Sequence, residues 1–229
     1  NCEVRSDGFC WNKKTNRIIR ACLPMHTFGL SIQIDLIKKI CKEFNIILIE
    51  DAAESLGTTY NGDFTGSIGD LGVLSFNGNK IITTGGGGMI LTNNKDLAVK
   101  ARHITTTAKL KHKWNFVHDI MGYNYRMPSI NAALGIAQLR KLNQFIKSKR
   151  KIAHAYHKWG ADNEVKFVTE APESRSNYWL NTIITKNQSQ RDLLLEKTNT
   201  ASIMTRPSWT PMHKLELYKC YQTHSLENT

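Results

Sequence analysis

Ile46-Ile47-Leu48-Ile49 runs straight into Glu50-Asp51, and no other feature of the sequence constrains the fold as much. An unbroken apolar strand without alternation is buried on both faces, the condition of a parallel strand inside an α/β sheet. Carboxylates at its end fall on the carboxyl edge of such a sheet, where ligands bind. Upstream, over residues 32–44, Leu36, Ile37, Ile40, Cys41 and Phe44 recur at helical period, and Asn45 separates that helix from the strand. Downstream, Val73-Leu74-Ser75-Phe76 and Met89-Ile90-Leu91-Thr92 read as two more strands. They are set off by a turn-prone stretch at 57–72 and by four glycines at 85–88. Asn93-Asn94 opens a helix over 97–104.

From Pro128 the apolar stripe of Ile130, Ala133, Leu134, Ala137, Leu142, Phe145, Ile146, Ile152, Tyr156 and Trp159 predicts one long helix that stops at Gly160. Beyond it, 178–185 and 201–205 read as strands around a helix at 190–197. Strands and helices alternating in this way predict an α/β fold with a mostly parallel sheet. The spacing divides the chain into a large domain over 1–160 and part of a small α/β domain over 161–229.

Composition bears on partners. The 229 residues carry 31 Lys+Arg against 19 Asp+Glu, a net charge of +12. A polyanion is the first thought at such a charge, but the basic residues are spread thinly. The densest run, Lys147 to Lys151 without Ser148, lies inside the long helix, and no nucleic-acid-binding motif accompanies it. A solvated basic face suits it better, so neither nucleic acid nor a membrane is an expected partner. Five cysteines (Cys2, Cys10, Cys22, Cys41, Cys220) form no CxxC pair. They predict free thiols in a reducing cytoplasm, with no metal site.

Three segments carry chemistry. Asp51, ending the apolar strand, reads by itself more readily as a turn or cap residue than as a catalytic one. Ser75-Phe76-Asn77-Gly78-Asn79-Lys80, followed by Thr83-Thr84 and the glycines, places a lysine just beyond a buried strand. The glycines fit neither a Walker loop, since no Gly-Lys-Ser/Thr follows, nor a dinucleotide fingerprint, since a strand comes next. Gly122-Tyr123-Asn124-Tyr125-Arg126-Met127-Pro128 is rich in hydrogen-bonding groups, yet could be no more than a helix entry. Together the three meet the needs of pyridoxal 5'-phosphate (PLP). That cofactor takes a lysine on its aldehyde, a carboxylate on its pyridine nitrogen, and hydroxyl or amide donors on its phosphate.

At these residues the chain resembles the DegT/StrS family of nucleotide-sugar aminotransferases, which have the type I, aspartate-aminotransferase-like fold of PLP-dependent transferases. The likeness rests on four motifs in order: Pro24-Met25-His26-Thr27-Phe28-Gly29, the acidic segment Glu50 to Gly57, Ser75 to Lys80 with its glycines, and the segment from Gly122 to Gln138. The wording SFNGNKIITTGGGG is most similar to the branch that aminates C4 of UDP-linked 4-keto-6-deoxy sugars for bacillosamine- or legionaminic-acid-type products.

The resemblance implies that Lys80 is the catalytic, cofactor-bonding lysine and that Asp51 pairs with the pyridine nitrogen. It also implies that Ala53, Glu54, Ser75 and Asn124 complete the cofactor-binding set, Asn124 by reaching the phosphate of the neighbouring subunit in a homodimer with shared sites. Glu54 falls near the ring hydroxyl, where many relatives carry Gln. His26, Arg206 and His213 are candidates for touching the sugar nucleotide, and an amino acid, glutamate in such relatives, serves as donor. Relatives that are sugar dehydratases have histidine in place of the lysine. C3 aminotransferases share the fold, and a non-catalytic basic binding module is the alternative of another class. The family's amino-terminal phosphate-binding turn has no match here, and the chain stops soon after Arg206-Pro207. The expectation is a segment that, alone, binds PLP weakly or not at all.

Overall fold

A computed structural model describes residues 1–223. The chain divides into two compact units, Asn1–Ile183 and Ile184–Thr229; the sequence reading places its own boundary after residue 160. Three short strands, β1 (Cys2–Val4), β2 (Cys10–Asn12) and β3 (Arg17–Ile18), open the first unit as an antiparallel sheet that the hydrophobic pattern does not announce.

Next come β4 (Ala21–Cys22) and the first helix, α1 (Ile34–Glu43). α1 ends in a Schellman turn. Asn45 adopts φ 51°, Ile46 N–H bonds to Cys41 O at 2.8 Å, and Asn45 N–H bonds to Lys42 O at 3.4 Å. Asparagine tolerates that left-handed position, so the helix stops and the chain turns directly into the strand. The apolar run forms β5 (Ile47–Asp51), followed by a hairpin of β6 (Thr59–Tyr60) and β7 (Asp63–Phe64), then β8 (Leu71–Ser75) and β9 (Gly88–Leu91). The main sheet has the order β4-β5-β8-β9. Its first three strands are parallel and β9 runs antiparallel at the edge. The sheet is therefore mostly parallel, with its last strand reversed because the connection after β8 is a loop and not a helical crossover.

α1 packs on this sheet through a core of Ile34, Cys41, Leu48 and Tyr60. Two residues assigned by period to its inner face, Leu36 and Ile40, are exposed. A second core of Ala52, Leu74, Phe76 and Ile82 lies under the carboxyl edge. Asn94 caps α2 (Lys95–Thr105), its side chain accepting the amides of Asp96 and Leu97. The long helix expected from Pro128 is in fact two, α3 (Ser129–Leu139) and α4 (Leu142–Asp162), divided at Arg140-Lys141 where Lys141 has ψ 1°. Neither Gly nor Pro marks the break, so periodicity alone runs through it. Helical geometry also continues two residues past Gly160.

The strand expected at 178–185 does not form. Tyr178 sits at φ 46°, and only Ile183 forms a bridge, to Phe167. A two-residue strand, β10 (Ser174–Arg175), pairs with β6 instead. In the second unit α5 (Gln188–Thr200) forms as expected, capped by the Asn187 side chain on Gln190 N–H. The strand expected at 201–205 is a turn and irregular chain, held back on α5 by hydrogen bonds from Asn199 to Thr205.

Candidate active site

β5 and β8 lie side by side and parallel, so their carboxyl ends bring Asp51 and Ser75 to one edge of the sheet. Ser75 pairs with Gly88 across β8 and β9, closing the segment between them into a loop. Backbone bonds from Phe76 N–H to Gly87 O (2.9 Å) and from Thr84 N–H to Phe76 O (3.0 Å) tighten it. Helix α3 holds it from outside: Gln138 Oε1 accepts Thr83 N–H and the Asn131 side chain donates to Thr84 O. Lys80 stands on this braced loop.

Its side chain is 14% exposed, and Nζ lies 3.8 Å from Glu54 Oε1 and 4.0 Å from the centre of the Trp179 ring. Trp179 is buried, and its indole N–H donates to Asn79 O at 2.6 Å, fixing the ring beside the lysine. Glu54 is buried, and its Oε2 accepts Phe28 N–H at 2.7 Å. Burial pushes its carboxyl above the ordinary value. The Phe28 amide and the Lys80 charge oppose that only in part, and the Asp51 carboxylate adds to it. Asp51 is thus within electrostatic reach of Glu54. Its Oδ1 accepts Ala53 N–H at 3.0 Å, which places half-buried Ala53 in the same turn.

The turn at Phe28-Gly29 has φ of 61° and 88°. A Cβ at Gly29 would fall 1.9 Å from Asn177 Oδ1, so only glycine fits this approach. Asn177 ties the turn to the acidic segment by donating to Glu54 O and Leu56 O.

His26 is fully buried, and both of its ring nitrogens have partners within the chain. Its Nδ1 accepts Ile32 N–H at 3.3 Å, which leaves the proton on Nε2, and that nitrogen donates to Glu50 Oε2 at 3.0 Å. Glu50, also fully buried, further accepts the amides of Gly66, Ile68 and Gly69. Burial alone would raise the Glu50 carboxyl, but His26 and these amides outweigh it and hold it below the ordinary value. The Glu50–His26 pair therefore braces the strand end from behind.

Ser75 is half-buried, its Oγ 3.4 Å from Asn77 N. Asn124 is exposed and bridges Thr106 at the end of α2; it contacts neither Lys80 nor the acids. Arg206, exposed, and His213, half-buried, belong to the second unit. The structure thus gathers Lys80, Glu54, Asp51 and Ala53 at one edge, with Ser75 at the start of the loop, and does not bring Asn124 to them within one chain. Sequence reasoning misses Trp179. The indole is a hundred residues from its partner Asn79, and nothing local in Tyr178-Trp179-Leu180 marks it as part of a site.

Residues 12–229 match the model of the DegT/DnrJ/EryC1/StrS aminotransferase family. The chain belongs to that family. It is 37% identical over 232 residues to GDP-perosamine synthase of Escherichia coli O157:H7, covering 97% of this chain and 63% of that protein. To the putative pyridoxal phosphate-dependent aminotransferase EpsN of Bacillus subtilis (strain 168) it is 35% identical over 218 residues, covering 95% of this chain and 56% of that protein. Among solved structures, a DegT DnrJ EryC1 StrS aminotransferase from Brucella abortus superimposes with a TM-score of 0.83 at 27% identity, covering 91% of this chain and 55% of that one. The fold is that of this family of PLP aminotransferases. The chain spans less than two thirds of the length of the relatives it matches.

Proposed function

We propose that the protein transfers an amino group, with glutamate as donor, to C4 of a 4-keto-6-deoxy sugar carried on UDP, and that it uses PLP to do so. The observation that carries this reading is the convergence of Lys80, Glu54 and Asp51 at the carboxyl edge of β5 and β8, with Nζ 3.8 Å from the Glu54 carboxyl. The residues present fit the cofactor. Lys80 is the amine for its aldehyde, Asp51 the carboxylate for its ring nitrogen, and Glu54 a carboxyl biased by burial toward the neutral form, which can donate to a ring oxygen. Ser75 lies at the same edge and supplies a hydroxyl, while the Ala53 amide orients Asp51 by donating to its Oδ1.

When bound, PLP contributes an aldehyde that accepts amines and a ring that withdraws electrons from the neighbouring carbon. The chain's own residues do the rest. Lys80 Nζ holds the group and moves the proton at the reacting carbon in both halves of the reaction. Asp51 keeps the ring nitrogen protonated. Trp179 and Glu54 fix the direction of Nζ. Lys80 itself favours transfer over dehydration.

A GDP-linked sugar is the second reading, favoured by the 37% identical relative, GDP-perosamine synthase. The UDP reading rests on the wording of the Lys80 loop. A homodimer with shared sites fits the exposed position of Asn124, which would then serve the phosphate of the neighbouring copy. It also fits the exposure of Trp114 (73%), Phe116 (79%), Met121 (81%) and Ile130 (81%) on either side of it in the sequence. A cytoplasmic location accords with five free cysteines, and no helix among the described residues is long and apolar enough to cross a membrane.

The test is borohydride trapping of PLP on the complete gene product, followed by peptide mapping. The adduct is expected on Lys80, and Lys80→Ala is expected to slow amino transfer by at least ~10²–10⁴-fold. Label scattered over surface lysines with Lys80 unmodified would sink the cofactor reading. Turnover of UDP- against GDP-linked keto sugars decides the nucleotide.

A further inference from the structure

A cavity of about 250 Å³ opens between the Lys80 loop and helix α4, and Lys80 and Lys149 both line it. Phe145, Ser148 and Lys149 are three and four residues apart, so one face of α4 turns toward the loop. Ile81, Phe145 and Trp179 make the walls apolar, and the lining contains no carboxylate.

The two lysines differ in company. Lys80 has Glu54 at 3.8 Å and the face of Trp179. Lys149 is half-buried and has no acidic partner among the described residues. Burial depresses its pKa with nothing opposing. The neighbouring Arg150 is no substitute cation, being committed to both oxygens of Glu170 and to Ser176 O. An ammonium held partly out of water without a counter-charge is costly, and an anion entering the cavity would remove that cost. Size limits which anion. Drug-sized ligands occupy clefts of ~300–1,000 Å³, so this cavity suits a small acid rather than a sugar nucleotide.

We propose that this cavity seats the amino donor and that Lys149 pairs with the carboxylate distal to the reacting amine, making Lys149 the residue that selects a dicarboxylic amino acid. The assignment rests on Lys80 being the reacting lysine, since the donor's amine must lie toward it while its far carboxylate lies toward Lys149. The apolar walls take the methylenes between, and Ser148 and Asn79 flank them with polar groups.

The experiment uses the PLP-loaded complete gene product as wild type, Lys149→Met and Lys149→Arg. Glutarate, which has both carboxylates and no amine, is titrated by calorimetry beside butyrate, which has one. Losing a charge-assisted bond is expected to weaken glutarate binding by roughly 10- to 100-fold in Lys149→Met. The KM for glutamate should rise in step, the KM for the nucleotide sugar should not change, and butyrate, whose one carboxylate has only Lys149 to pair with, should weaken as well. Lys149→Arg is expected to recover most of the loss, which a merely misfolded pocket would not. Equal glutarate affinity in Lys149→Met and wild type, or a loss confined to the nucleotide sugar, would overturn the assignment. Reductive trapping at Lys80 on the same samples separates the two readings. Trapping with glutarate binding indifferent to Lys149 removes only the donor site. Binding that depends on Lys149 without trapping at Lys80 keeps the anion site and removes the cofactor reading.

Discussion

Two buried acids four residues apart, Glu50 and Glu54, respond to pH in opposite directions. Glu50 titrates below its ordinary value of 4.5 because His26 and three amides favour its charged form. The native state therefore binds fewer protons there than the unfolded chain does. Its stabilisation is complete above about pH 4.5 and is lost as pH falls through the lowered value. Glu54 titrates above 4.5 because burial favours its neutral form. Its contribution is complete below that pH and declines as pH rises through the raised value. Glu50→Gln should destabilise the fold at neutral pH by about 1–3 kcal/mol, since it leaves a buried set of donors without their anion, and should flatten the acid limb of a denaturation series. Glu54→Gln should instead flatten the limb above pH 4.5 and leave the acid limb intact; identical pH profiles for the two variants would refute the contrast. How much of this the sequence shows depends on distance along the chain. Asp51 and Lys80 stand in local patterns that mark them as candidates, and Glu54 is marked by resemblance. Glu50 is not legible as a strut, because its partners are His26, Gly66, Ile68 and Gly69. His26 reads as a ligand contact for the same reason: its burial is a tertiary fact.

At the level of elements, the apolar run, the strands around it and helices α1, α2 and α5 follow from period and caps. What does not follow is decided by pairing or by a backbone angle. The Asn61-Gly62 dipeptide, at φ 50° and 88°, is the signal for the β6–β7 hairpin, and a reading of 57–72 as one turn-prone stretch misses it. Residues 178–185 have strand composition but pair only at Ile183, and Trp179 there fastens the Lys80 loop through Asn79 O. Arg150 is a further case. Within a basic run it reads as solvated, yet it grips Glu170 with two bonds of 2.7 and 2.9 Å and binds Ser176 O, clamping α4 to the segment that presents Trp179. Both side chains are about one-fifth exposed. Arg150→Ala should therefore cost about 3 kcal/mol in a denaturation series. A change within a few tenths of a kcal/mol, as for a surface pair, would contradict the clamp.

For the molecule as a whole, the exposed apolar residues between Trp114 and Ile130 lie in a chain whose net charge of +12 works against self-association. Ile130, 81% exposed at the start of α3, tests whether a second copy covers them. Ile130→Glu in the complete gene product should shift sedimentation from dimer to monomer without lowering the melting temperature of the monomer. A wild-type protein that sediments as a monomer would remove the shared-site reading of Asn124. The loop that carries Lys80 has a consequence of another kind. Ser75 and Gly88 are locked opposite each other, and α3 grips the loop from outside, so the number of residues between them sets where the lysine stands. An insertion or deletion anywhere in 76–87 displaces Lys80, whereas one at the Asn61-Gly62 tip moves no residue of that edge. Length variation among descendants of this chain, natural or engineered, should collect at the hairpin tip and spare the lysine loop.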